Sequence, residues 1–211
     1  MNVLIELHYL PCLEYFIVLS KATHVWIEAH ETFQKQTYRN RTYILTANKV
    51  ERLTVPVLES THHIPIQAVR IDYSQKWRQQ HWRAIRSAYG KAPFFLYYAD
   101  ALEEELWKEH ATLFDLNYSL LTLCHRLLGL SCQLETTTHY QKVAPDNLID
   151  LRHKIHPKKQ TGILHAVPYT QVFSNKVSCS FVNNLSIIDL LFCEGNYAIA
   201  WLRQQSSAHI P

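Results

Sequence analysis

The run 30-HETFQKQTYRNR-41 places one histidine, one carboxylate and three cations within twelve residues. His30 beside Glu31 is the pairing a general base needs. An imidazole titrates near neutral pH, and an adjacent carboxylate can fix its tautomer and orientation. Lys35, Arg39 and Arg41 supply positive charge. If this stretch is extended, Arg39 and Arg41 share one face, with Tyr38 and Asn40 on the other. Two guanidiniums so placed repel unless solvent or an anion lies between them, and their planar forks suit phosphate or carboxylate. A wet strand end with two snorkelling arginines accounts for the same residues without a ligand. Both readings are open at this point.

The elements around this run decide where its side chains go. Residues 3–10 alternate as a strand closed by Pro11, with Leu4, Glu6, His8 and Leu10 on one face. A short helix over 13–22 and a second strand over 24–29 follow. A strand, one crossover helix and a strand give two parallel neighbours with a right-handed connection. Ligands of such units lie beyond the carboxyl ends of the strands. That rule draws His8 from the first strand towards Glu28, His30 and Glu31 from the second. Residues 37–46 and 51–58 then read as a hairpin around 47-ANKV-50, and 66–72 as a fifth strand.

From Ser74, expected to cap a helix over 75–89, the pattern turns helical, with Trp82, Ile85 and Tyr89 as a stripe and Arg78 in line. Further helices are expected over 98–109 and 112–130, the latter stopped by Gly129 and carrying Asn117 as a buried amide between elements. Residues 133–139 are expected to return to the sheet. Residues 141–184 hold Pro145, Pro157 and Pro168 and little periodicity, which marks a long ordered loop with a functional rather than structural purpose. Ser186 and Asp189 have capping-box spacing before a last helix ended by Gly195. The fold class is therefore α/β: a mixed sheet begun by a βαβ unit and hairpin, then a mainly helical half. One domain over 1–211 is expected, with a sheet-rich part (1–73), a helical part (74–130) and a mixed C-terminal part (131–211).

Composition narrows the function classes. Hydrophobic residues make up 47% and aromatics 12% of 211 residues, enough to bury a core. Four scattered glycines cannot build a Gly-rich phosphate loop. A net charge of +3 is too small for a nucleic-acid binder, and no apolar run reaches membrane-span length. The start lacks a secretory pattern, and the five cysteines show no CxxC spacing, so a cytoplasmic protein with reduced thiols is expected. Cys12 opens a helix but has no base partner in the sequence. The histidines, including His62-His63, show no HxxxH or HExxH spacing, so no metal is assigned. No cofactor is assigned either.

Seven stretches resemble the WbqC-like family, a bacterial group associated with surface-polysaccharide (O-antigen) gene clusters: 9-YLPCLEYF-16, 30-HETFQKQTYRNR-41, 53-LTVPV-57, 77-WRQQHWRAIRSAYGKAPFF-95, 113-LFDLNYSLL-121, 169-YTQVF-173 and 185-LSIIDLLFCEG-195. The resemblance covers nearly the whole chain, in order. The family's leading His-Gln pair is replaced here by Ile5-Glu6. The resemblance implies an acyl- or aminoacyl-transferase of the glycine type, acting on an amino sugar or nucleotide sugar. His30 and Glu31 are then the catalytic candidates. Lys35, Tyr38, Arg39, Asn40 and Arg41 would bind an anionic or sugar substrate. The alternative is a non-catalytic anion- or sugar-binding module in a biosynthetic complex. It needs the arginines but no base.

Overall fold

The computed structural model describes residues 1–58, 64–159, 161–164, 167–174 and 181–205. Strand β1 (Asn2–Glu6), helix α1 (Leu13–Lys21) and strand β2 (His24–Glu28) form the expected βαβ unit, with β1 and β2 parallel from Asn2↔His24 to Glu6↔Glu28. The hairpin pairs β3 (Arg41–Leu45) with β4 (Val50–Thr54) as a two-stranded sheet of its own. Helices α2 (Trp77–Tyr89), α3 (Phe95–Trp107) and α4 (Leu113–Leu127) follow. The chain then returns to the first sheet as β5 (Gln133–Thr136) beside β2 and β6 (Ile149–Asp150) beside β1. The order is β5-β2-β1-β6, all parallel. Helices α5 (Ile187–Glu194) and α6 (Ala198–Gln204) close the described chain.

Alternation gives the parallel sheet two unlike faces. Val3, Ile5, Val25 and Ile27 are fully buried and belong to the hydrophobic core that also takes in α1, α4 and α5. The opposite face carries Leu4 and Glu6 on β1, and Trp26 and Glu28 in register on β2. Glu6 and Glu28 are thus neighbours at the carboxyl ends of adjacent strands, and both are buried. Two buried carboxylates side by side need cations, and the loops beyond the sheet bring them.

Several local expectations are corrected. Residues 66–72 form no strand; Ile66–Ala68 is a single 3-10 turn, with isolated bridges from Arg70 to Thr112 and Ile71 to Val57. The apolar spacing there serves burial of Ile66, Val69 and Ile71, not a ladder. Ser74 does not cap α2, because its hydroxyl and amide turn back to Asp72. Nor do Ser186 and Asp189 form a capping box: Ser186 Oγ donates to Leu10 O, and Asp189 is fully buried among other donors. The capping box lies instead at α4, between Thr112 and Asp115. Thr112→Ala is expected to cost about 1 kcal/mol by chemical denaturation, the usual loss for an N-cap.

Other expectations hold. Gly195 ends α5 at φ 54°, and a Cβ there would lie 2.3 Å from Phe94. Arg78 is partnered, donating to Trp107 O and lying over the Tyr73 ring. Asn117, fully buried on α4, donates to Arg39 O at 2.7 Å and ties the helical half to the polar run. Cys12, Cys124, Cys132 and Cys193 are free and buried; burial pushes the Cys12 thiol up to about 12, which leaves it unreactive at neutral pH. His62, His63 and Cys179 lie outside the described residues. Among the described residues no helix is long and apolar enough to cross a membrane.

Candidate functional site

The site forms where β1, β2, β5 and β6 end. Beyond β2 the chain leaves as Ala29, His30 and Glu31, then turns through Lys35 and Gln36, the latter at φ 62°. The turn is pinned by Tyr9 N to Tyr38 O at 2.8 Å and Val55 N to Asn40 O at 2.9 Å. Residues 38–40 are therefore turn, and β3 starts only at Arg41. That separates the two arginines expected to share a strand face.

Arg39 folds inward and is 1% exposed. Its Nε and Nη2 donate to the two oxygens of Glu31, Nη2 lies 3.5 Å from Glu6 Oε1, and Nη2 meets His153 Nδ1 at 3.1 Å. Glu31 therefore does not orient His30: its carboxylate faces Arg39. His30 is exposed, with its backbone N–H on Glu28 Oε1 and Nε2 3.1 Å from Thr137 O. Lys35 is exposed in the turn. Tyr38 is buried against the His8 ring, and Asn40 donates to Val55 O, so both hold the loop. Arg41 is half-buried at the start of β3. Its Nε is buried and has no hydrogen-bond partner among the described residues, while burial and nearby Arg52 lower its pKa.

The residues completing the site come from the poorly patterned segment after 136. Arg152 donates to Glu28 Oε2 at 3.0 Å, to Gln141 O at 2.7 Å and to both oxygens of Asp150, and its guanidinium lies over the Tyr140 ring. His153, at φ 62°, gives its backbone N–H to both oxygens of Glu6. Each in-register carboxylate thus has its own arginine: Glu6 has Arg39, and Glu28 has Arg152. The signal was present in 150-DLRHKIH-156, where an arginine and two histidines follow a β-compatible pair, but nothing local says that this pair joins the far edge of β1.

These contacts spread the carboxyl groups apart in pKa. Burial alone would raise Glu6, but its contact with His8 and the Arg39 charge outweigh it and hold Glu6 down to about 2. Glu31 goes the other way: burial pushes it up to about 7 against the Arg39 fork, with Glu6 and Glu28 adding repulsion. His8 is fully buried between Tyr15 and Tyr38, its Nε2 3.4 Å from Glu6 Oε1; burial lowers its pKa against the pull of Glu6. Burial likewise lowers His153 and His156. The result is a cleft of about 200 Å³ lined by His30, Glu31, Thr32, Gln34, Tyr140 and His153. The Glu31 carboxyl lies on its wall with the His30 and His153 rings. Among the described residues no His, Cys, Asp and Glu group has metal-binding geometry.

The profile of the WbqC-like protein family matches residues 7–171, most of the chain, including every residue lining the cleft from His30 to His153. The chain belongs to the WbqC-like protein family. The uncharacterized protein Rv1507c of Mycobacterium tuberculosis is 30% identical over 140 residues, which is 65% of this chain and 60% of that protein. The chain thus spans about three-fifths of that relative's length. No solved structure matches the chain. The α/β fold of this WbqC-like chain, with its βαβ start, hairpin and helical half, is as the sequence pattern indicated.

Proposed function

We propose that the protein is an acyl- or aminoacyl-transferase that joins a glycine-type group to the amine of an amino sugar or nucleotide sugar, in surface-polysaccharide biosynthesis. The observation that carries the reading is the place of Glu31: a buried carboxyl at the wall of a cleft beside His30 and His153, where burial pushes its pKa up to about 7. A carboxylate offers about four lone-pair sites, so the two hydrogen bonds from Arg39 leave room for a substrate proton. In the transfer, the amine nitrogen bonds to the acyl carbon of an activated donor, such as a thioester or acyl phosphate. The bond from that carbon to the donor's leaving group breaks, and the amine proton passes to Glu31. Arg39, still paired with Glu6, keeps the protonated Glu31 in place. His30 lies at the mouth of the cleft, where it can pass the proton to solvent. Exposed Lys35 offers positive charge to an anionic leaving group.

Glu31→Gln keeps the shape and removes the proton acceptor. Transfer to an amino-sugar acceptor is expected to fall about 10²–10⁴-fold, the usual contribution of a general base. The wild-type rate should rise through about pH 7, because only ionised Glu31 accepts a proton. Stability should move the opposite way. The folded chain holds this proton to a higher pH than the unfolded chain, so stability falls as pH rises from about 4.5 to about 7 and then levels. Glu31→Gln should flatten both profiles. An unchanged rate profile in Glu31→Gln would remove Glu31 from the chemistry.

Arg41 favours a second reading, a non-catalytic anion- or sugar-binding module. A buried guanidinium nitrogen without a partner, next to Arg52, is a ready place for a phosphate or carboxylate. Under this reading Arg41→Ala weakens binding of a nucleotide sugar by about 1.5–3 kcal/mol. Glu31→Gln leaves binding unchanged, and no transfer is found with any donor. Titration calorimetry with both variants separates the two.

A further inference from the structure

A second compartment lies on the polar face of the parallel sheet, beneath the segment that follows β5. Its volume is about 190 Å³, and its walls include Leu4, Trp26, Leu148 and Pro145, with Thr137 and Gln141 at its rim. The volume is below the range of pockets for drug-sized ligands and suits a single small ring. Trp26 is half-buried, and one face of its indole is stacked on His24 at 4.9 Å, so only the rest of the indole is left to a ligand. Leu4, Pro145 and Leu148 add aliphatic walls, and the His139 ring also reaches the lining. A flat heterocycle gains most between two π faces, whereas the C–H face of a sugar suits an indole flanked by aliphatic groups. Charge is also accounted for. The one carboxylate on the pocket, Glu28, is engaged by Arg152, by Thr137 Oγ1 and by the His30 backbone N–H. Glu28 is therefore not free to hold a cation. With Thr137 Oγ1 committed to Glu28, polar recognition falls to the side chains of Thr138, His139 and Gln141, which hydrogen-bond to one another.

From these features we infer that the compartment is a monosaccharide pocket, taking an uncharged pyranose ring with its C–H face on Trp26 and its hydroxyls towards the 137–141 rim. The pocket and the Glu31 cleft share a wall. Thr137 and Gln141 line or border the first, Tyr140 and His30 line the second, and Arg152 spans between them by holding Glu28, Gln141 O and the Tyr140 ring together. The inference deepens the transferase reading and rests on it for the fate of the bound sugar, but binding is measurable without catalysis.

The test is ligand-observed saturation-transfer NMR and calorimetry of the full chain with N-acetylglucosamine, glucose and adenosine as probes. The variants are Trp26→Leu, Leu148→Trp and Glu31→Gln. Leu148 is only half-buried, so Leu148→Trp fills the pocket with little demand on the core, and thermal melting checks that each variant folds. The expected result is binding of the two sugars and not of adenosine, weakened at least about tenfold in Trp26→Leu and Leu148→Trp and unchanged in Glu31→Gln. Absence of sugar binding, binding of adenosine alone, or binding lost in Glu31→Gln but kept in Leu148→Trp would each overturn the inference. If Trp26→Leu and Leu148→Trp transfer normally while Glu31→Gln does not, the pocket fails and the transferase reading stands. Sugar binding at Trp26 with transfer unaffected in Glu31→Gln gives the reverse.

Discussion

Arg39→Ala is expected to destabilise the protein by about 3–5 kcal/mol, the range for leaving a buried charge without its partner. For a chain of this length that lowers the melting temperature by roughly 2–4 °C per kcal/mol. The size of the effect follows from what Arg39 holds. Its guanidinium takes both oxygens of Glu31 and sits 3.5 Å from Glu6, and all three side chains are almost wholly buried. Without it, two carboxylates remain in a site from which water is largely excluded. The loss has a pH signature. Protonated carboxyls need no cation, so the deficit of Arg39→Ala should shrink on acidification, as Glu31 and then Glu6 neutralise. Arg39→Lys should recover little, because one ammonium cannot reproduce the fork on Glu31 while also serving Glu6 and His153. Urea denaturation at pH 5 and pH 8 checks both points. A deficit independent of pH would mean that Arg39 acts through packing alone.

The second large effect is expected at Asp189. This carboxyl is fully buried on α5 and accepts from Tyr89 Oη at 2.9 Å, from Tyr169 Oη and from Gln171 Nε2 at 3.1 Å. Asp189→Ala leaves two phenols and an amide without their acceptor, each at about 1–3 kcal/mol, and should cost at least about 3 kcal/mol in total. Asp189→Asn keeps one acceptor oxygen and should cost less. Burial holds the Asp189 carboxyl above the usual range against those three donors. The folded state therefore retains the proton longer than the unfolded state, and this group's contribution to stability declines as pH climbs above about 4. Asp189→Asn should remove that decline. Gln171 also clamps Val182, with bonds to its N and O, so loss of Asp189 should open the backbone around Gln171 and Val182 to hydrogen exchange before the rest of the described chain.

The two cases show unevenly how sequence gives way to structure. The βαβ start was legible because its signals are local: alternation over residues 3–10, of which the strand uses only the part up to Glu6, an apolar helix after Pro11, and a second strand pattern over 24–29. Local alternation also placed Glu28, His30 and Glu31 at the right end of the sheet. The hairpin was legible for the same reason. What local pattern could not reveal was the partner of each charge. Arg39 and Arg41 look alike in sequence, yet a turn at 38–39 sends the first into a carboxylate cluster and leaves the second on the hairpin. Arg152 and His153 follow a strand of two residues, too short to show any period, so nothing in the local pattern marks them as site residues. Asp189 was read by spacing as a helix cap, whereas its donors lie 100, 20 and 18 residues away. Register partners distant in sequence leave no periodic trace, and the site consists mostly of such partners.

The parallel pairing of β1 with β6 has a further consequence for how the protein comes into being on the ribosome. Glu6 is synthesised well before the groups that complete its surroundings: the backbone N–H and the sheet edge belong to residues 149–153, separated from it by 147 positions in the case of His153. Closing so long a loop carries its entropy cost before any contact repays it. At about 5–20 residues per second, seconds of synthesis separate the first strand from the last. Until residues 149–150 arrive, the edge of β1 that β6 will cover has no strand of this sheet beside it, and a carboxylate such as Glu6 on a bare edge disfavours pairing with another chain.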